Sequence, residues 1–478
     1  MRTSGESPAR DSRPHDGRTR AVVLGGGMAG LLAAAVLVRH VDEVVVVDRD
    51  LMPAGPLPRK GLPQARHAHL LMSGGARAVE SLLPGALDGW VSAGARMRAL
   101  PTGLVALGPG GWFPRWPGAQ YLLACTRDLL DLVVRARVLA LPGVVLREGT
   151  EAVALLGDVR RVTGVRVRDA GTGTAETLEA DLVVDASGRG SRAARRLTEL
   201  GLPVVHEETV DSGLVYATRI FRAPPESERF PVVSVQADPR LGGPGQGAVL
   251  VPVEGGRWLV TTSGTRGGEP SGEAGEFEPF LRALRDPLIA DLIARAEPLT
   301  EVALTRSTVN RRRFFERLPA PPEGFVAMGD ALATFNPVYG QGLSVAAQSA
   351  VVLRDALARR GVRAPGLAPD LQRRLARTAS GPWDLATGED INYPGAIGAP
   401  PPAAAKLLRG YFQRLMRTAP GDPVVLKALM DVMTLSAPLT ELLRPSVALC
   451  VARGPGRAGR GGPPITASEL ALCGLPPR

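Results

Sequence analysis

Gly25, Gly27 and Gly30 stand in the spacing G-x-G-x-x-G, and Asp48 follows eighteen positions after the last of them. Residues of these types at this spacing bind a dinucleotide. The first glycine permits a tight turn, the second lets backbone approach a pyrophosphate, and the third lets a helix lie close on a strand. The acid falls where a carboxylate can reach a ribose hydroxyl. Met28 and Ala29 open the helix, whose unpaired N–H groups face the phosphates. Arg49, beside the acid, would tolerate further phosphate. The spacing alone does not separate FAD from NAD.

These residues need a strand, a turn, a helix and a second strand to hold them. Residues 21–24 are a short apolar run that reads as a buried parallel strand. Residues 28–39 are small and aliphatic, as a closely packed helix requires. Residues 44–47 are four valines ending at the acid. The fingerprint therefore sits in a complete βαβ unit.

Further along, residues 182–184 form another buried strand, ending in Asp185, Ser187, Gly188, Gly190 and Ser191. Residues 325–328 repeat the pattern, ending in Gly329 and Asp330, with Pro337, Gly340 and Gly342 following. Small residues at strand ends allow cofactor and backbone to meet. Arg127 lies in the first turn of a helix capped by Thr126, where a cation opposes the dipole and calls for an anionic partner. Residues 53–69 are turn-rich and cationic. Arg59, Lys60 and Arg66 either meet phosphates or line a solvated loop.

Residues 144–156 and 162–169 alternate as a ribbon. Residues 205–304 are dominated by strands, with a hairpin turn at 254–257. Their apolar faces include Tyr216, Phe221 and Trp258, which either wall a pocket or form ordinary sheet core. Residues 100–121 hold Trp112, Phe113, Trp116 and Tyr121, with the same two readings.

The 478 residues are 45% hydrophobic and 22% charged, a globular composition. The net charge is +10, yet only Lys60, Lys406 and Lys427 are lysines and the arginines are scattered, so no nucleic-acid partner is expected. Cys125, Cys450 and Cys473 are far apart, and His67 and His69 lack an acidic or cysteine cluster, so no metal site is expected. No apolar run spans a membrane, and the chain reads as cytoplasmic.

GGGMAG with Asp48, then DASGRGSR, then GDALATFNPVYGQG occur in that order. Together they resemble the flavoprotein monooxygenases of the aromatic-hydroxylase fold. That resemblance implies an α/β Rossmann-like FAD-binding domain of glutathione-reductase type, with an inserted mixed β-sheet substrate domain and a C-terminal helical region. Residues 20–99, 122–204 and 305–360 would form the FAD-binding domain. Residues 100–121 and 205–304 would form the substrate domain, residues 361–478 the helical region, and residues 1–19 a disordered tail. The resemblance puts Gly329 and Asp330 at the FAD ribitol, Arg127 at the phosphates, and Pro337, Gly340 and Gly342 beside the flavin ring. Asp185, Gly188 and Ala152 complete the expected FAD set. Phe335, Val338 and Tyr339 would border the flavin.

RKGLPQARHAHLL, DSGLVYATRIF, SGTRGGEP, STVNRR and FNPVYGQGLS further resemble the epoxidases of polyether ionophores such as monensin and lasalocid, which are similar to squalene epoxidase. This implies a flavin hydroperoxide that passes oxygen to alkenes of a linear, hydrophobic polyene polyketide. Molecular oxygen would be the co-substrate, with electrons ultimately from NAD(P)H, directly or through a flavin reductase partner. No catalytic side chain is assigned, because the flavin does the chemistry. The alternative is an FAD-dependent hydroxylase of an aromatic or other secondary metabolite. A flavin halogenase is disfavoured by the missing W-x-W-x-I-P stretch, and a non-enzymatic flavin carrier is the remaining class.

Overall fold

A computed structural model describes residues 17–306, 308–399, 403–456 and 461–477. Most of the expected N-terminal tail lies outside these residues. Five parallel strands form the first sheet, in the order Phe325–Ala327, Leu182–Asp185, Arg20–Leu24, Glu43–Val47, Val144–Arg147. Their β-branched interiors are covered on both faces, as a parallel sheet demands: Ala21, Val22, Val23, Val44, Val46, Val183, Val184 and Val326 are fully buried.

The register decides where the site lies. Leu24 is level with Val47 and with Asp185, and Asp185 is level with Ala327. Four strands therefore end on one line, and the turns that follow them emerge along one edge. That edge is where an open α/β sheet binds ligands. The expected α/β nucleotide-binding architecture is thus present. Helix Met28–Leu37 leaves the first turn, and every residue but Ala29 is buried. Helices Arg127–Leu139, Gly342–Arg360 and Leu367–Asp390 share the same core through Leu130, Val134, Leu353, Leu371 and Leu375. Helix Leu367–Asp390 is fixed to the sheet edge by Gln372, which brackets the backbone N–H and carbonyl of Ala327 at 2.8 and 3.1 Å.

A three-stranded antiparallel sheet comprises Thr150–Gly157, Val162–Asp169 and Ala175–Glu179, extending the ribbon expected there. A larger sheet of seven strands runs Ala303–Thr305, Val215–Arg222, Arg257–Gly264, Gln246–Val253, Val232–Val235, Leu104–Gly108, Gly111–Trp112. It is antiparallel except where Leu104–Gly108 pairs in parallel with Val232–Val235.

Side chains alternate across its two faces. One face carries Ala217, Phe221 and Trp258, which pack with Phe230 against helices Ala274–Arg282 and Leu288–Ile293. The other carries Ile220, Val249 and Leu259 toward helices Ala403–Thr418 and Pro423–Met433, through Leu415, Leu426 and Leu429. Among the described residues no helix is long and apolar enough to cross a membrane.

The tightest packing in the parallel sheet is at its first turn. A Cβ at residue 30 would lie 1.8 Å from the Gly25 carbonyl oxygen. Gly30→Ala is expected to cost about 3 kcal/mol, the upper range for overpacking, because backbone and not a movable side chain stands in the way. Urea unfolding of the purified variant measures it.

Candidate cofactor groove and adjoining cavity

Gly25 takes φ +99° and donates its N–H to the Val47 carbonyl at 2.8 Å, which locks the turn to the neighbouring strand. A Cβ there would sit 2.5 Å from the Ala186 carbonyl oxygen, so only glycine fits. At Gly27 the situation reverses: a Cβ would meet nothing within 4 Å. The turn is crowded from behind and open in front.

Asp48 is buried beside it. Its Oδ2 accepts the Gly26 N–H at 2.6 Å and Arg59 Nη2 at 2.9 Å, while its Oδ1 accepts the Asp50 N–H at 2.8 Å. Arg59 also donates to the Gly26 carbonyl at 3.0 Å. Of the three cations in loop 59–66, the fold brings Arg59 to the turn, buried, and leaves Lys60 and Arg66 exposed. Arg49 is exposed too.

Arg127 is buried at its helix start and pairs with Asp131, one turn on, at 2.9 Å. This is the anion that the dipole argument required. Asp330 is half-buried where the Phe325–Ala327 strand ends; burial raises its carboxyl, and Arg189 and Arg127 oppose that rise. Arg189 was not read from the sequence, and nothing in its local pattern marks it. Gly329 approaches the first helix so closely that a Cβ would lie 2.7 Å from that of Ala29.

Asp185 is fully buried and holds its own turn, accepting from the Ser187 N–H at 2.9 Å, Ser187 Oγ at 2.6 Å and Ser191 Oγ at 3.1 Å. Gly188 in that turn borders open space. Ala152 is half-buried in its strand, with its carbonyl bonded to Arg196.

These residues fit FAD. Gly27, Gly188 and Gly342 face open space, and Arg189 and Arg127 lie near enough to Asp330 to act on its charge. At the far end, helix Gly342–Arg360 begins with Gln341 Oε1 and Ser344 Oγ buried without a hydrogen-bond partner, the latter packed against Gly75. Pro337 and Gly340 form the loop in front of that helix.

A cavity of about 320 Å³ adjoins this loop. Leu100, Ala106, Phe113 and Leu122 line one side, and Met416, Met430 and Met433 line another. Tyr216, Val338 and Tyr339 border it. Phe221 and Trp258 do not. Phe221 lies five residues from Tyr216 on one strand, hence on the opposite face, and Trp258 is its direct cross-strand partner. Both belong to the far core, where the Trp258 ring sits 4.7 Å from that of Phe230. Phe335 is buried in the core of the parallel sheet. Sequence reasoning missed Asn336, Asp390 and the methionine-bearing C-terminal helices, all of which reach the cavity from distant parts of the chain.

His67 and His69 take no metal-like arrangement. His67 Nδ1 meets Thr218 Oγ1 at 2.7 Å, and His69 Nδ1 meets the His67 carbonyl at 2.9 Å. Among the described residues no group of three His, Cys, Asp or Glu side chains is placed to hold an ion.

The FAD binding domain family matches residues 115–364. The chain is 34% identical to Protein Rv3254 of Mycobacterium tuberculosis over 85% of its own length and 88% of that protein's. It is 30% identical to a kynurenine 3-monooxygenase of Salinispora arenicola, covering 73% and 75% of the two chains. It is 27% identical to a 6-methylpretetramide 4-monooxygenase of Streptomyces rimosus, covering 72% and 76%. In fold it is similar to the flavin-dependent brominase Bmp2, with a TM-score of 0.63 at 14% identity over 91% and 98% of the chains.

The buried imidazoles give the fold an acid-sensitive element. Burial, with the Arg66 charge, lowers His67 to about 4 from 6.5, and burial with Arg127 lowers His69 to about 3. Below pH 6.5 the unfolded chain binds protons that the folded chain refuses, so stability falls as pH drops toward 4. His67→Asn keeps a partner for Thr218 and is expected to remove up to about 3 kcal/mol of that loss. Denaturant unfolding at pH 7 and pH 4 compares the slopes.

Proposed function

The chain belongs to the FAD-binding family of flavoprotein monooxygenases, and from that premise we propose that it hydroxylates a hydrophobic aromatic small molecule. FAD is its cofactor, molecular oxygen its co-substrate and NAD(P)H the ultimate electron source. When bound and reduced, FAD supplies the activated oxygen. The chain supplies a dry chamber and orientation, which is what transfer of one oxygen atom to carbon requires.

The observation that carries this reading is the cavity beside loop 336–340. Most of its wall is apolar, its loop end carries Tyr216, Asn336, Tyr339 and Asp390, and Asp238, Arg240 and Glu389 also line it. An aromatic ring is attacked readily when it bears a hydroxyl or amino group, and such a substrate would put its ring in the apolar body and its polar group at the loop. The likeness to monooxygenases of kynurenine and 6-methylpretetramide, both ring-bearing compounds, supports the same choice.

Alkene epoxidation on a linear polyene is the second reading. It is favoured by the apolar remainder of the cavity, where Met416, Met430 and Met433 offer a flexible, charge-free wall. The resemblance of RKGLPQARHAHLL and FNPVYGQGLS to polyether epoxidases belongs with it.

The two readings separate in one experiment. The FAD-loaded protein is given NAD(P)H, a flavin reductase, ¹⁸O₂ and either 1-naphthol or farnesyl acetate, and products are analysed by mass spectrometry. Label in a new ring hydroxyl is the expected result; label in an epoxide moves the assignment to the second reading. Met430→Trp, which fills the cavity, is expected to raise KM for the accepted probe about tenfold or more while leaving flavin content unchanged. An unaltered KM would place the substrate elsewhere.

A further inference from the structure

Asp390 is the last residue of helix Leu367–Asp390, beyond the segment matched by the FAD binding domain family, and its carboxylate is buried among four donors. Asn310 Nδ2 and Asn336 Nδ2 each lie 2.7 Å from Oδ2. Tyr339 Oη lies 2.9 Å from Oδ1, and Ser212 Oγ lies 3.4 Å from Oδ2.

Backbone groups fix the direction of these bonds. The Asn336 N–H donates to Asn310 Oδ1 at 2.6 Å, so the Asn310 amino group must be the end that faces Asp390. The Val338 N–H donates to Asn336 Oδ1 at 3.0 Å, so the Asn336 amino group also faces Asp390. Burial raises the Asp390 carboxyl overall and the four donors oppose that rise; with four donors aimed at its two oxygens, the group is placed as a carboxylate that accepts. An ionised carboxylate only accepts. Tyr339 must therefore spend its single hydroxyl proton on Asp390, which leaves lone pairs for the cavity. Tyr216 likewise donates to Asn336 Oδ1, at 3.2 Å, from the adjoining wall.

We infer that Tyr339, with its proton held by Asp390, is a fixed hydrogen-bond acceptor that selects substrates carrying a hydroxyl or N–H group beside the carbon to be oxygenated. Asp390 acts as a positioning residue, since it sets the polarity of Tyr339 without bordering the reacting atoms. The inference rests on the cavity being the substrate chamber. It narrows the substrate class to phenols, anilines and alcohols, and disfavours ethers, esters and ketones at that end. The discrimination is that of a site whose polar group would be left unpaired by the wrong ligand.

The test titrates 2-naphthol and 2-methoxynaphthalene into the FAD-loaded protein and reads binding from the flavin absorbance spectrum. The two probes share a ring system, and the second has no proton to give. The native protein is expected to bind 2-naphthol about tenfold more tightly, the worth of one buried hydrogen bond. Tyr339→Phe is expected to weaken 2-naphthol alone and bring the two within about twofold.

Asp390→Asn has the opposite signature. Its carbonyl would take the Asn310 and Asn336 donors, its amino group would face Tyr339, and the Tyr339 proton would turn into the cavity. The methoxy probe then gains affinity, which a merely structural loss cannot produce. Equal binding of both probes to the native protein, or an undiminished preference in Tyr339→Phe, overturns the inference and leaves the chamber assignment standing. If neither probe perturbs the flavin, the chamber assignment falls and the inference with it. Should Asp390→Asn fail to fold, Tyr339→Phe decides alone.

Discussion

Three stretches of backbone meet at the first glycine turn with no room for a side chain. The Gly25 carbonyl blocks any Cβ at residue 30, and the Ala186 carbonyl blocks any Cβ at residue 25. The turn cannot retreat into the sheet, so Gly27 is held facing open space. Asp48 and Arg59 then tie down its remaining freedom through the Gly26 N–H and carbonyl. Both side chains are nearly withdrawn from water, at 9% and 5% exposure, and each is paired with the other and with the same backbone. The other turns of the groove follow from the parallel register, which ends four strands on one line.

The two large sheets divide the work according to how their faces are covered. The parallel sheet is buried on both faces and offers only its end, which suits a cofactor that must lie along backbone. The seven-stranded sheet gives one face to its own core and the other to a chamber. The chamber is closed by helices from the last quarter of the chain. Methionine is prominent in that closing wall, and its unbranched side chain can repack around ligands of different outline. The chamber's position follows from packing of the helices against Val249, Leu259 and Ile220, so a substrate does not have to organise it.

The parts legible in the sequence are those in which a local pattern has a local cause. The glycine turn, the valine strand ending at Asp48 and the small-residue strand ends at 185–191 and 329–330 each needed only neighbours in sequence. The Arg127 helix showed a conflict with its dipole, and the partner was four residues away. The pocket walls were not legible in this way. Tyr216, Phe221 and Trp258 all lie on apolar strands, and only parity and pairing place the first in the chamber and the other two behind it. Loop 59–66 held three equivalent cations until the fold buried one of them. Asp390 was invisible because its donors at 212, 310, 336 and 339 are far from it in sequence and converge through topology alone.

A buried carboxylate is costly unless every lone pair is met, and an apolar residue of similar size would often serve stability as well. In this chain the carboxylate borders a chamber whose wall is mostly apolar, and it joins three separate segments. Asn310 comes from the strand Asn310–Arg313, Asn336 and Tyr339 from the loop before helix Gly342–Arg360, and Asp390 from a helix anchored to the parallel sheet. Movement of the loop would have to break bonds to a charge that has no alternative partner among them. The same node therefore holds loop 336–340 in place and, on the proposed reading, sets the direction in which the chamber accepts a hydrogen bond. On the proposed reading, loop position and substrate choice are coupled through one buried carboxylate, whose partners come from three separate segments.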